Sequence, residues 1–459
     1  MVQQGSGAFP KYWFWFVLLA FFSVLNETVF NVSLPDISAQ FGLEPSAANW
    51  VNTSFILSFA AGTAVYGKIA DAFGVKRLLL FGLFLYAGGS ILGLLLHAWF
   101  PGLLMARFIQ GGGASVVPGL IGVIVVNCVD PRHRGKAFGL IGSTVALGEG
   151  IGPVLGGVIA DFVHWSYLFA LPLITLVTLP FFMRSLPDTP PKKAQLDIFG
   201  GVLFILGIVS FSLFMTNYRW LYGTISVILF IGFALWIRSV RTPFIDPSLF
   251  KKQRFMAGVL LGGLLLGIVA GFVSMVPYMM REVHRMTTSL IGGGILFPGT
   301  MSVILFGIAG GKWVDKRGAG VVMVTGIGLI GAGFLITAFM ADDRPWFISG
   351  AIILVFGGLS FVKTVISTTV AETLGADEAG SGMGFLNFAC FLAEGMGIAF
   401  VGGMLAQRSL DLRMLPSITA PGAYLYSNLS LLLLGVMLIG GTAFRLVVRG
   451  STPIGDKET

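Results

Sequence analysis

Charge is scarce in this chain. Asp, Glu, Lys and Arg make up 11% of its 459 residues, where an ordinary soluble domain carries about 25%. A soluble chain of this length needs many more charges to cover its surface. Cysteine is almost absent: Cys128 lies beside a loop and Cys390 in an apolar run, which argues against a disulfide scaffold. The four histidines are scattered without the spacing of metal ligands, so no resident metal or cofactor is expected. The phosphate loop Gly-x-x-x-x-Gly-Lys-[Ser/Thr] is missing, and with it any ATP-driven motor within the chain. No Ser/His/Asp or paired-histidine constellation supports an enzyme.

Apolar sequence is what the chain has in excess, at 55% of residues. Runs of about 20 apolar residues recur along the whole length and read as membrane-spanning helices. Fourteen are expected, at 12–34, 47–67, 78–97, 101–127, 137–160, 166–183, 198–216, 221–237, 256–280, 289–310, 320–340, 346–370, 380–405 and 424–445. The 64 glycines and 20 prolines suit such a bundle, because small residues let helices approach closely. The first run follows Lys11 without a small-residue cleavage site and so reads as a span rather than a signal peptide. With the N-terminus inside, 21 of the 29 Lys and Arg residues fall on the cytoplasmic side and six outside, with Arg107 and Lys363 within spans. That bias satisfies the positive-inside rule and places both termini in the cytoplasm. The +8 net charge is then a topology signal and requires no nucleic-acid partner.

The sequence repeats itself. Gly67-Lys68-Ile69-Ala70-Asp71-Ala72-Phe73-Gly74 returns 244 residues later as Gly311-Lys312-Trp313-Val314-Asp315-Lys316-Arg317-Gly318. Glu149-Gly150-Ile151-Gly152 returns 245 residues later as Glu394-Gly395-Met396-Gly397. Two pairs at nearly one offset divide the spans into two parallel six-helix halves, with the seventh and eighth inserted between them. The expected domains are 1–184, the inserted pair with its flanking loops at 185–254, and 255–459. Parallel halves are a transporter design, with the cargo held between them near the midplane.

Several segments resemble the major facilitator superfamily. Gly67 to Arg77, with Gly67, Asp71, Gly74 and Arg77 in place, is similar to its signature loop, and Arg107-Phe108-Ile109-Gln110-Gly111 to its fourth-helix motif. Gly148-Glu149-Gly150-Ile151-Gly152-Pro153-Val154-Leu155-Gly156-Gly157 resembles the antiporter motif of the fifth helix, which is typical of exporters. Fourteen spans narrow the resemblance to the drug:proton antiporter branch. Longer segments, among them Asn31-Val32-Ser33-Leu34-Pro35-Asp36-Ile37, Asn49-Trp50-Val51-Asn52-Thr53 and Ala270 to Met280, resemble tetracycline efflux proteins of classes K and L. The resemblance implies an all-α integral membrane protein of 6+2+6 helices in the cytoplasmic membrane. It also implies export of tetracycline as a monocationic complex with a divalent metal such as Mg2+, in exchange for protons. The metal then belongs to the cargo. Drug, protons and lipid are the implied partners, with no obligate protein partner. Two rivals stand beside this reading: a Na+/K+ antiporter for protons, and a multidrug exporter of lipophilic cations.

Glu27, Arg107, Glu149, Lys363 and Glu394 lie well inside expected spans. Each costs about 2.5–3.5 kcal/mol or more at the bilayer centre, so each is read as facing a cavity. An excess carboxylate can carry a proton, or pair with a cation once ionised. Glu27 shares a face with Asn31, and Arg107 with Gln110. The resemblance assigns Arg107 to proton coupling; an ion pair holding its helix against a carboxylate is the structural alternative. Glu27, Arg107, Glu149 and Glu394 are therefore candidate coupling residues, and Asn31, Gln110 and Lys363 candidate cavity residues. Lys363 has the alternative task of neutralising one of the acids. Gly152 and Gly156 continue a small-residue stripe from Gly148, and Pro153 can bend the helix. With Gly67, Asp71, Gly74, Arg77 and Asp315, these are the candidate gating residues.

Overall fold

The computed structural model describes residues 13–128, 134–186, 197–240, 243, 247, 251–373 and 379–450. These residues form fourteen helical spans and, among them, no strand. The spans are α1 (Trp13–Phe41), α2 (Trp50–Phe73), α3 (Val75–Leu96), α4 (Phe100–Ala114 with Val116–Cys128), α5 (Arg134–Phe162), α6 (Trp165–Arg184) and α7 (Ile198–Asn217). They continue with α8 (Trp220–Ser239), α9 (Gln253–Glu282), α10 (Thr288–Val314), α11 (Ala319–Met340), α12 (Pro345–Glu372), α13 (Ala379–Gln407) and α14 (Tyr424–Gly450). Eleven are long and apolar enough to cross a membrane on composition alone. The other three are α2, diluted by the buried Asn52, Thr53, Ser54, Ser58 and Thr63, α4, interrupted at Ser115, and the glycine-rich α5.

Every expected span is a helix, and the departures have local causes. α1 runs on past residue 34 to Phe41, through a 3-10 turn at Asn31–Ser33 just before Pro35. The first 14 residues of α6, Trp165–Thr178, are 3-10 helix around Pro172, which has no N–H to donate. α10 opens with a π-helical stretch at Ile291–Leu296, a form that concentrates at functional sites. The signature segments are mostly helix rather than loop. Only Gly74 (φ 81°, ψ 144°) and Gly318 (φ 82°, ψ 155°) leave the helical region. That conformation is open to glycine alone, so the repeat seen in sequence is also a repeat in backbone geometry.

Within the first six helices, α4 is wedged between α2 and α3. A Cβ on Gly111 would lie 2.2 Å from the Phe55 carbonyl oxygen, and one on Gly113 2.3 Å from the Tyr86 nitrogen. In the last six, α9 lies along α13, where a Cβ on Gly397 would meet the Gly267 carbonyl oxygen at 1.9 Å. Backbones this close gain dispersion contacts that lipid cannot match. The inserted α7 and α8 form a hairpin, closed by the Asp197 carboxylate accepting from Gly200 N–H and Trp236 Nε1–H, each at 2.8 Å. It packs across α2 and α13 through a cluster containing Leu57, Ala60, Ile208, Phe233 and Phe388.

Two helix pairs make the most extensive contacts between the first six helices and the last six, α2 with α13 and α5 with α10, and the end of α1 also meets α9. The close approaches among described residues run from mid-membrane to the end opposite Gly74 and Gly318, called here the far end. Along α5, a Cβ on Gly157 would meet the Thr288 carbonyl oxygen at 2.6 Å, and one on Gly292 of α10 would meet the Pro153 carbonyl oxygen at 2.0 Å. Along α2, Asn49 Nδ2 donates to the Ile398 carbonyl (3.4 Å), Tyr278 donates its hydroxyl to Asn49 Oδ1 (3.2 Å), and the Phe59 and Phe391 rings meet edge to face.

Candidate functional site

Both halves contribute to one cavity of about 100 Å³ between them. Glu27 and Asn31 reach it from α1, Glu149 from α5, Lys363 from α12 and Glu394 from α13. The repeat pair Glu149 and Glu394 thus meet across the pseudo-twofold axis. The Glu27 and Glu394 carboxyl groups lie within reach of a hydrogen bond to each other, and both are close enough to feel the charges of Glu149 and Lys363. A carboxyl–carboxyl hydrogen bond exists only while one partner carries the proton, since two carboxylates repel. Among the described residues, no salt bridge within 4.0 Å fixes Lys363 on any one of the three acids. Asn52 donates its Nδ2 to Asn31 Oδ1, tying α2 to the cavity wall. The remaining walls are mostly apolar, including Ile56, Val269, Phe356 and Leu359.

Arg107 and Gln110 stand apart from this cavity. Arg107 is fully buried, with its guanidinium 4.2 Å from the centroids of both Phe30 and Phe55. It donates from Nε to the Val51 carbonyl (3.1 Å), from Nη1 to Asn26 Oδ1 (3.3 Å) and Gln110 Oε1 (3.0 Å), and from Nη2 to the Asn26 carbonyl (3.4 Å). Gln110 passes its own Nε2–H to Ser90 Oγ at 2.8 Å. No carboxylate takes part, so the expected alternative of an ion pair is not what holds α4. Carbonyls, amides and two aromatic faces hold the cation, binding α1 and α2 to α4 next door to Glu27. Gln110, expected on the cavity wall, is an internal strut of the first six helices.

The small-residue stripe of α5 packs within its own half. A Cβ on Gly152 would meet Thr28 Oγ1 at 2.0 Å, and one on Gly156 the Val29 carbonyl oxygen at 2.2 Å. Gly150, Pro153 and Gly157 occupy the opposite face and meet α10 instead. Gly67 lies on the last turns of α2 and Arg77 is exposed at the start of α3. The side chains of Lys68, Asp71 and Asp315 lie outside the described residues.

A clasp at the far end escaped the sequence reading. Arg281 at the end of α9 pairs with Asp36 of α1 at 2.6 Å and donates to Thr288 Oγ1 at 2.8 Å. The Thr288 hydroxyl in turn donates to Asp36 Oδ2 at 2.7 Å. Asp161, at the end of α5, accepts from the N–H groups of Thr288 (3.2 Å) and Ser289 (2.7 Å), capping the first turn of α10. Apart from the Arg281–Thr288 bond, each partnership crosses from one half to the other. These residues sit at span ends, where isolated charges are commonplace, and only their spatial convergence marks them.

A two-halved helical bundle with charges gathered at its central seam defines a membrane transporter. Comparison with known proteins agrees. The Major Facilitator Superfamily profile matches residues 16–398, and the chain belongs to that family. It is 26% identical over 405 residues to the riboflavin transporter RibZ of Clostridioides difficile (strain 630), covering 86% of this chain and 88% of that one. It is 25% identical over 409 residues to the multidrug transporter protein MdtP of Bacillus subtilis (strain 168), covering 86% and 75%. In fold it is similar to a POT family transporter solved in complex with 5-aminolevulinic acid, with a TM-score of 0.71, 16% identity, and coverage of 97% and 98%.

Proposed function

We propose that the chain exports a drug-sized organic cation from the cytoplasm in exchange for protons, with Glu27, Glu149, Glu394 and Lys363 as the coupling site. The carboxyl–carboxyl contact between Glu27 and Glu394 carries this reading. Losing the shared proton adds one negative charge to the site, and a monocation then restores the balance. Coupling requires that proton and cargo compete for these carboxyls and that their relative affinities differ between the two open states. In the conformation described the far end is clasped, and the cavity is well below the roughly 300–1,000 Å³ of drug-sized sites. Cargo loading therefore widens the seam from the end carrying Gly74 and Gly318, which the positive-inside bias assigns to the cytoplasm. Export then requires the clasp to open. Arg107 acts in this scheme as a positioning residue, holding Asn26 and so the neighbouring Glu27.

Tetracycline bound to a divalent metal is the proposed cargo, on the strength of the segments resembling class K and L efflux proteins. Its single positive charge matches the vacancy left by one proton. A multidrug exporter of lipophilic cations is the second reading, favoured by the likeness to the multidrug transporter protein MdtP. Na+/K+ exchange without organic cargo is the third reading. Everted vesicles carrying wild type or Glu394→Gln decide among these. Proton-driven, Mg2+-dependent tetracycline uptake by wild type, lost in Glu394→Gln, is the expected result. Uptake of dyes and quaternary ammonium compounds without tetracycline supports the second reading. Proton movement driven by Na+ or K+ with no organic uptake overturns both.

A further inference from the structure

A second cavity lies on the outer flank of the first six helices, remote from the central charges. It is an open groove of about 530 Å³. Tyr66 and Phe73 of α2, Arg77 and Phe81 of α3, Phe108 of α4 and Ile205 of α7 are among its walls. Along α2 it runs from Ser58 to Phe73, or ~22 Å at the helical rise of about 1.5 Å per residue. One leaflet of the hydrocarbon core is about 15 Å deep, so the groove spans a leaflet and ends at its headgroups. Phe73, Phe81 and Phe108 form a rim exposed to the bilayer.

Besides Ser58 at its inner end, two polar groups, Arg77 and Tyr66, break this apolar lining, and neither of these two has a partner among the described residues. Arg77, at the start of α3, is exposed at the headgroup end and makes no ion pair or hydrogen bond among the described residues. Tyr66 is 5% exposed, yet its hydroxyl is not bonded to any described group. An apolar channel one leaflet deep, with a free guanidinium at the interface and a phenol deeper in, matches one kind of molecule. We infer that this groove is a binding site for an anionic phospholipid. The acyl chain lies between α2, α3 and Ile205, the phosphate meets Arg77, and the Tyr66 hydroxyl donates to an ester carbonyl. A cationic drug is a poor fit, because Arg77 repels it. Because Ile205 belongs to the inserted hairpin, the lipid also ties α7 to the first six helices. The inference does not depend on the cargo or the coupling ion.

Native mass spectrometry of the purified protein with equimolar phosphatidylglycerol and phosphatidylcholine tests it. Wild type is expected to retain phosphatidylglycerol about fivefold better, the value of one cationic side chain near an anionic lipid surface. Arg77→Gln abolishes that preference and Arg77→Lys keeps most of it. Val65→Trp fills the groove, leaves Arg77 in place and reduces retention of phosphatidylglycerol. Ile205→Trp fills it from the α7 side and serves if Val65→Trp does not fold. Equal retention of the two lipids by wild type overturns the inference. So does a preference that survives Arg77→Gln, or retention unchanged in a folded groove-filling variant.

Discussion

Glu394 is the residue on which most depends. Its substitution by Gln keeps shape and hydrogen-bonding capacity but removes the titratable proton, so drug-coupled proton movement should be lost while the folded protein still purifies. Arg107 makes the opposite prediction. Lysine in its place keeps the charge but not the planar fork serving Val51, Asn26 and Gln110. Arg107→Lys should cost at least ~2 kcal/mol, visible as a lower melting temperature, while exchange per folded molecule persists. A stable Arg107→Lys protein with no exchange would move Arg107 into the coupling machinery itself. The central charges were legible in the sequence because a charge within an apolar run is too costly to be incidental. What surrounds each of them was not. The Arg107 cage is built by Phe30, Val51 and Phe55, residues far away in sequence and unremarkable in composition.

Among the helices, α5 and α10 form the most exacting contact. Gly292 sits in the π-helical opening of α10 with no room for a side chain against Pro153. Gly292→Leu and Gly157→Leu should prevent closure at the far end, and spin-label distances between the ends of α5 and α10 should lengthen on that side. Unchanged distances in both variants would remove this contact from the gate. The sequence pattern pointed to Gly148, Gly152 and Gly156, whose stripe in fact packs on α1. The face that meets the other half has the same small-residue character, and helix periodicity does not say which partner takes which face.

The α11–α12 connection offers a pH test. Burial by itself raises the Asp342 carboxyl. Hydrogen bonds from Ala420 N–H, Thr419 N–H and the Thr419 hydroxyl outweigh it and hold the group below the usual carboxylate range. A depressed folded-state pKa contributes stability that is present above the ordinary Asp value of about 3.9 and lost as pH falls through the lower folded value. Asp342→Asn should therefore speed amide exchange at Thr419 and Ala420 at pH 7. The difference from wild type should vanish well below that range. A difference that persists there would mean the carboxylate charge is not what holds this loop.

Over the whole molecule, the repeat read at 244–245 residues reappears as matched backbone at Gly74 and Gly318 and as Glu149 facing Glu394. Span number and order were legible because bilayer thickness imposes a length on every helix. The clasp of Asp36, Asp161, Arg281 and Thr288 was not, since its members became neighbours only when the halves came together. Asp161→Asn combined with Arg281→Gln should weaken far-end closure and raise labelling of cysteines placed there. The central claim is that cargo and proton compete for the carboxyls of the seam. Proton release on cargo binding tests it most directly, measured with purified protein in weak buffer as Mg2+–tetracycline is added at saturating concentration. About one proton per bound drug is expected from wild type and none from Glu394→Gln, following from the single proton shared by Glu27 and Glu394. Saturable binding to wild type with no proton released would contradict the account.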